Sequence, residues 1–363
     1  MKIRVAKNSD GIALIIALIA IFVLAIMAAG FAYSMKVETK LAQNADNDQQ
    51  LLWLGRSGVE LARWVLAQEA TIPGQPYDSL NEIWAGGPGG PGETNSVLAG
   101  ISLDNYPIGN GTVSLKIVDL ERKANINTAN TAVLQQTLTT MGVDADTLST
   151  VSDSIQDWID ADDSPRIAGA ESDYYQGLTP PYNAKNAPID DMSELLLVKG
   201  ISEHPEIYWG GSATNHPGAS FQQQQQKLGF GNSPGQMPDY PFGLVDVFTP
   251  FSAGRVNINT ADVNVLQTIP GMDTNTAAAI IQQRAGPDGA DGTEDDTPFR
   301  SVNQLTAAGL SAAVVQNLSR YCVVRSYTFE VHVTAKTGDY SRDFTALLLR
   351  SGGDVQVLSF YWK

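Results

Sequence analysis

Residues 12–33 read IALIIALIAIFVLAIMAAGFAY, an apolar run without a single charge. About 22 residues at about 1.5 Å each extend roughly 33 Å, enough to cross a hydrocarbon core of about 30 Å. Lys2, Arg4 and Lys7 precede the run. By the positive-inside rule the N-terminus stays cytoplasmic and the rest is exported. A secretory signal has an apolar region of about 7–15 residues ending at a small-residue cleavage site. This run is longer and does not end there. After Lys36 the chain continues without Gly or Pro as far as Gly55, and Leu51, Leu54, Gly58, Leu61 and Val65 then recur at helical spacing. The pattern predicts one helix of about 55 residues, from the membrane to the region of Gln68, stopping before Pro73.

Farther along, the period changes to two. Val113, Leu115 and Ile117 alternate with Ser114 and Lys116, which predicts a half-buried strand over 113–119. Near the C-terminus, Tyr327, Phe329, Val331 and Val333 alternate with Ser326, Thr328, Glu330 and His332. A TGDY turn at 337–340 follows, then two more strands over 342–350 and 355–362, separated by SGGD. This is an antiparallel meander whose partner strand lies some 200 residues upstream, so a large insertion separates them. GGPGGPG at 86–92 is a loop, since neither a helix nor a central strand tolerates it.

The insertion repeats itself. Residues 123–135 read KANINTANTAVLQ and residues 255–267 read RVNINTADVNVLQ, with eight of 13 aligned positions identical. MSELLLVKGIS at 192–202 is echoed by VNQLTAAGLS at 302–311. Each unit therefore runs from INTA through helices to a Leu-bearing helix closed by Gly, with Asn and Thr at the start expected to cap helices. The chain is thus expected to be α+β: a helix over 12–70, the start of an α/β body over 71–120, an inserted α-domain over 121–320 with repeats near 121–203 and 253–320, and a β-meander over 321–363. The polar, Gly/Pro-rich segment 204–250, with five glutamines at 222–226, reads as a mobile surface excursion.

Charge narrows the function. With 23 Lys and Arg against 39 Asp and Glu, the formal net charge is −16, which argues against a polyanionic partner. The one cysteine, Cys322, cannot form an intramolecular disulfide. The acids concentrate in two places: Asp157, Asp160, Asp162, Asp163, Glu171 and Asp173, offset only by Arg166, and then Asp288, Asp291, Glu294, Asp295 and Asp296. Carboxylates crowded into loops can supply the 6–8 oxygens that Ca²⁺ takes; a solvated acidic loop is the other reading. Neither cluster has the EF-hand spacing. His204, His216 and His332 have no metal-ligand spacing, and no nucleophile-elbow, P-loop or zincin motif occurs. The chain is not expected to be an enzyme.

The basic leader 1–11 ending in Gly11, joined directly to an apolar segment at Ile12, resembles the type III signal of type IV pilins and pseudopilins. The resemblance implies removal of the leader by a prepilin peptidase between Gly11 and Ile12, and methylation of the new amine. Members usually begin with Phe, so Ile12 is a departure. The fifth residue after the cut is usually Glu, thought to pair with the N-terminal ammonium of the subunit above; here it is Ile16. A chain with Ile16 can receive that bond from below but cannot make it upward, which is the logic of a first subunit. The K subunits of type II secretion (general secretion pathway protein K) lack this Glu and carry paired helix-hairpin-helix-like (SAM-like) modules, so the resemblance covers nearly the whole chain.

It implies a pilin-like fold and a minor pseudopilin at the pseudopilus tip, nucleating assembly for export of folded proteins across the outer membrane. The expected partners are other minor pseudopilins, reached through the Leu51, Leu54, Gly58, Leu61 and Val65 face, together with the prepilin peptidase and the inner membrane. The secreted substrate and the outer-membrane secretin are further candidates. The chain would cross the inner membrane once, with its globular part in the periplasm, and calcium would occupy the acidic loops. The alternative is a membrane-tethered helix-hairpin-helix DNA-binding protein of an uptake system. DNA-binding hairpins offer Gly-apolar-Gly to a phosphate. Met141-Gly142-Val143-Asp144 and Pro270-Gly271-Met272-Asp273 replace the second Gly with an acid, so no nucleic-acid partner is expected.

Overall fold

The computed structural model describes residues 10–90, 92–210 and 240–362; of the leader 1–11, residues 1–9 lie outside this set, as do 211–239 with the glutamine run. Helix α1 runs unbroken from Asp10 to Glu69, as the Gly/Pro-poor sequence predicts. Its apolar first half is exposed throughout, Ile12 and Ile16 included, and is long and apolar enough to cross a membrane. Its second half lies on a five-stranded sheet in the order β1-β2-β7-β8-β9: β1 (Tyr106–Ile108), β2 (Gly111–Asp119), β7 (Thr328–Thr337), β8 (Tyr340–Ser351) and β9 (Asp354–Trp362). Every pairing is antiparallel.

Alternation puts one face of this sheet on the helix. Val113, Leu115 and Ile117 of β2, Phe329, Val331, Val333 and Ala335 of β7, and Phe344, Ala346 and Leu348 of β8 form one core with Leu51, Leu54, Val59, Val65 and Leu66 of α1. Tyr327, expected in the buried series, is 39% exposed because it precedes the first residue of β7. Two glycines set the helix–sheet distance. A Cβ on Gly55 would sit 2.5 Å from the Phe344 ring, and one on Gly58 would sit 2.5 Å from Val333. The expected partner face is therefore corrected. Leu51, Leu54, Gly58 and Val65 face the chain's own sheet, with Leu61 half-buried at the margin, and a neighbour's helix cannot use them.

The insertion leaves the sheet after β2 and returns before β7, with a core of its own built from residues 124–324. Each repeat opens with a two-residue strand paired in parallel to a closing one: β3 (Ala124–Asn125) with β4 (Phe248–Thr249), and β5 (Val256–Asn257) with β6 (Cys322–Val323). The first repeat contains α2 (Thr131–Met141) and α3 (Ala145–Ile159), and the second the helices Val263–Gln267 and Thr274–Arg284.

The shared motif has a structural use other than the one expected. Asn127 exchanges side-chain hydrogen bonds with the backbone of Ile189, and Asn259 does the same with Phe299, at 2.7–2.9 Å. The helix caps are instead Asn130 and Asp262, one turn later. The expected surface excursion is also corrected at its described ends: Ile207, Tyr208, Tyr240, Phe242, Leu244, Val247 and Phe248 all belong to the buried core, because the first repeat closes only at β4.

Gly55→Ala and Gly58→Ala should each lose about 1–3 kcal/mol by overpacking against Phe344 and Val333. Chemical denaturation of the full chain checks this, with Ser57→Ala as control. Unchanged midpoints for both glycine variants would contradict the packing described.

Candidate functional site

The first acidic cluster is assembled by the end of α3 and the loop that folds back over it. Asp144 caps the helix by accepting from the Thr147 amide at 3.0 Å, and the last turn of the same helix delivers Asp157, fully buried. The Arg166 guanidinium bridges Asp157 at 2.6 Å and Asp160 at 2.5 Å, and the Arg166 amide also donates to Asp157. Gly169 lies so close over the Asp157 carboxylate that no Cβ fits. The loop is thereby drawn inward and brings Glu171, only 4% exposed, toward Asp160 and Asp162.

One carboxylate oxygen from each of Asp160, Asp162 and Glu171 lies within 4.8 Å of the others. Both Glu171 oxygens, Asp160 Oδ1 and Asn186 Oδ1 are buried without a hydrogen-bond partner. Asn186 donates to the Asp162 carbonyl at 3.1 Å and to Asp163 Oδ1 at 2.9 Å. Asp173 is exposed, in the first turn of the short helix Ser172–Gln176. Burial raises the Glu171 carboxyl to about 7, with the charges of Asp157, Asp160, Asp163 and Asp162 adding to it.

Orphaned carboxylate oxygens at one point leave a buried polar group uncompensated, which is costly. A hard cation with oxygen ligands resolves that conflict, and the donor set fits Ca²⁺. Arg166 is the offsetting cation expected from the sequence; Gly169 and Asn186 were missed as parts of this cluster, because only the loop closure brings them to it.

The second cluster is used differently. Asp291 pairs with Arg284 at 2.7 Å, and Arg284 also donates to the carbonyls of Ile258 and Ala261, both at 2.7 Å. Asp288 accepts from the Ala290 amide, Asp295 from Thr293 and the Asp288 amide, and Asp296 from the Gly292 amide and Thr293. Glu294 is exposed. These carboxylates stabilise their own turns and lash the loop to the repeat. Among the described residues no three of them converge as those of the first cluster do.

A third group of acids, unmarked in the sequence, sits between insertion and sheet. Asp78 and Arg350, each 1% exposed, pair at 2.5 Å. Ser326 and Thr260 donate to Asp119, at 2.6 and 2.5 Å, and Asn257 donates to the Asp78 carbonyl and to Ser326. Burial, with the Glu121 charge beside it, raises Asp119 to about 8. Burial and a hydrogen bond to Glu93 raise Glu69, at the end of α1, to about 11.

The hairpins of both repeats are closed to anions. Asp144 and Asp273 take the amides of Thr147 and Thr276 at 3.0 and 2.7 Å, and those hydrogen bonds hold both carboxyls below the usual range.

An apolar-then-amphipathic helix on an antiparallel sheet, with a two-repeat helical insertion between β2 and β7, defines a pilin-like subunit. Residues 114–206 match the family described as type II secretion system protein K, and residues 252–322 match the helix-hairpin-helix motif family. The type II secretion system protein K of Pseudomonas aeruginosa is 25% identical, the alignment covering 97% of this chain and 92% of the relative. That of Pectobacterium carotovorum is 24% identical over 85% and 83%. A chain of the solved GspK–GspI–GspJ complex from enterotoxigenic Escherichia coli superposes with a TM-score of 0.59 at 19% identity, covering 89% of this chain and 99% of that one. The chain is thus similar to the protein K family of type II secretion systems over nearly its whole length.

Glu171 takes up its proton more readily folded than unfolded, so its contribution to stability is full below its ordinary value near 4.5 and is lost as pH rises through about 7. In chelator, thermal melts of Glu171→Gln should fall less between those pH values than melts of the parent. Parallel curves would show that Glu171 is not buried among these charges.

Proposed function

We propose that this chain is the minor pseudopilin at the tip of the type II secretion pseudopilus and that it nucleates assembly with other minor pseudopilins. The observation that carries this reading is Ile16, exposed in the apolar half of α1 where a pilin subunit places a carboxylate. With no acid there, the chain has nothing to offer an ammonium above it, while its own amine can accept a Glu from below. The insertion supports the same position, since its bulk on one flank of the sheet would obstruct repetition along a tightly wound rod. The chain acts by assembly rather than catalysis. It is anchored in the inner membrane by residues 12–33, N-terminus inside, with the body in the periplasm, after removal of 1–11 by the prepilin peptidase and methylation of Ile12.

The route to its neighbours is the outward face of α1. Trp53 is 56% and Trp64 38% exposed, and with Ser57 and Glu60 they recur at helical spacing opposite the buried face. Arg56 stacks over Trp53 at 5.2 Å. Exposed tryptophans on a rigid helix suit an interface core. The DNA-uptake alternative has little support, since the hairpin amides are capped by Asp144 and Asp273.

The same reading places calcium in the first acidic cluster. Asp160, Asp162 and Glu171 would hold it, with Asp163 and Asn186 beside them, and the ion would supply the positive charge that those buried oxygens lack. It would fix the loop 160–171 against α3.

Coexpressed with prepilin peptidase and the other minor pseudopilins, the chain should co-purify with them and begin at Ile12 by mass analysis. Trp53→Asp with Trp64→Asp should abolish co-purification while leaving the melt unchanged, and Lys116→Asp on the far side of the sheet should not. Retention of the double variant in the complex would refute the proposed face. Separately, millimolar Ca²⁺ should raise stability over chelator by about 2.7 kcal/mol at a hundredfold excess over Kd, and Asp160→Asn with Glu171→Gln should remove the gain. Superimposable melts would mean a solvated acidic loop.

A further inference from the structure

Five of the twelve arginines in this acidic chain hold a carboxylate among the described residues. Arg63, Arg166, Arg284, Arg342 and Arg350 each form an ion pair. Three others, Arg255, Arg300 and Arg325, line one pocket of about 390 Å³ that has no acid in its wall. The pocket is walled by the second repeat and the segment that leads from β6 toward β7. Its remaining wall comes from Cys322, Val323, Val324 and Tyr327, with the polar side chains of Ser301, Asn303 and Ser319.

Two of the guanidiniums are anchored. Arg300 donates one Nη to the Gly74 carbonyl at 2.5 Å, and Arg325 donates one to the Ala70 carbonyl at 3.1 Å. Each retains further N–H donors. Arg255, at the mouth of β5, is exposed and is in no ion pair among the described residues. Anchored guanidiniums lose little freedom on binding, and their fork geometry matches a carboxylate. The nearest acids behind the wall are already engaged, Glu121 by the Tyr327 amide and Asp78 by Arg350 and the Ser326 amide, and more distant charges are largely screened beyond about 8–10 Å. The net charge of −16 does disfavour a long polyanion, whose other charges would meet the acidic surface. The aliphatic floor of Val323 and Val324 suits the methylene stem of an acidic side chain.

We infer that the Arg255–Arg300–Arg325 pocket is a docking site for an acidic segment of a partner protein, taking one or two Asp or Glu side chains. The site is separate from the Trp53–Trp64 face and stands whether or not the tip assignment does.

The probe is a fluorescein-labelled, end-blocked Gly-Glu-Asp-Glu-Asp-Gly peptide, titrated against the full chain in neutral detergent and read by anisotropy. Its Gln/Asn counterpart serves as the uncharged control. The acidic peptide should bind at least about tenfold more tightly than the control, and less tightly as salt rises. Arg255→Gln should weaken it about tenfold; since Arg255 anchors nothing, this variant keeps the fold. Arg255→Lys should recover only part of the affinity, because an ammonium lacks the fork. Lys116→Gln with Arg122→Gln, at basic positions outside the pocket, should change nothing. Equal binding of the two peptides, an unaffected Arg255→Gln, or an equal loss in the Lys116/Arg122 control would overturn the inference. Displacement of the peptide by equimolar inorganic phosphate would also overturn it, since the pocket would then be a general anion site.

Discussion

The whole molecule depends on closing a very long loop at one buried polar junction. β2 ends at Asp119 and the chain returns at Ser326, and these two residues hydrogen-bond at 2.6 Å across a separation of 207 positions. The pairing of β2 with β7 is that of a hairpin, and the entire helical insertion stands where a turn would. Asn257 reaches into the junction from the second repeat and Arg350 from β8, so insertion, sheet and the segment after α1 meet in one network. In low dielectric such a network is strong when every member is paired and costly when one is removed. Arg350 supplies a cation to it, stacked on Phe329 at 4.8 Å. That contact links the polar junction to the apolar core under α1.

The two repeats show how one short motif can serve two surroundings. The second Asn of each, Asn127 and Asn259, performs the same task, pinning the loop residue, Ile189 or Phe299, that precedes the 3₁₀ helix Met192–Leu197 or Val302–Thr306. The first Asn does not. Asn125 donates to the Ser252 carbonyl within the insertion, whereas Asn257 is turned to Asp78, Asp119 and Ser326 in the junction. Identity at these positions therefore reflects a shared local turn, and the second repeat alone has been fitted to the sheet.

Much of the architecture was legible because it rests on period and length. The long helix follows from an uninterrupted apolar run, the absence of Pro before Pro73 and the absence of Gly between Lys36 and Gly55, and the meander follows from two-residue alternation. The placement of Leu51, Leu54, Gly58 and Val65 on one face was equally legible. What that face touches was not, because an apolar stripe packs alike on a sheet and on another helix; only the Gly55 and Gly58 contacts settle it. The acidic clusters looked alike as strings of Asp and Glu. They differ because Arg284 and Thr293 occupy the carboxylates of one loop, while Gly169 and Arg166 fold the other inward and leave Glu171 without a partner. The core role of residues 240–248 was hidden by the polar sequence upstream of them.

On the proposed reading, a helix seated on its own sheet by two glycines, with tryptophans outward and no carboxylate at position 16, joins a filament in one direction only. The end position that follows is tested most directly by imaging pseudopili that carry a gold label on the exported domain of this chain. The account predicts one label at one end of each pseudopilus. Labels spaced along the shaft would contradict it, and the insertion would then have to be accommodated within the helical rod.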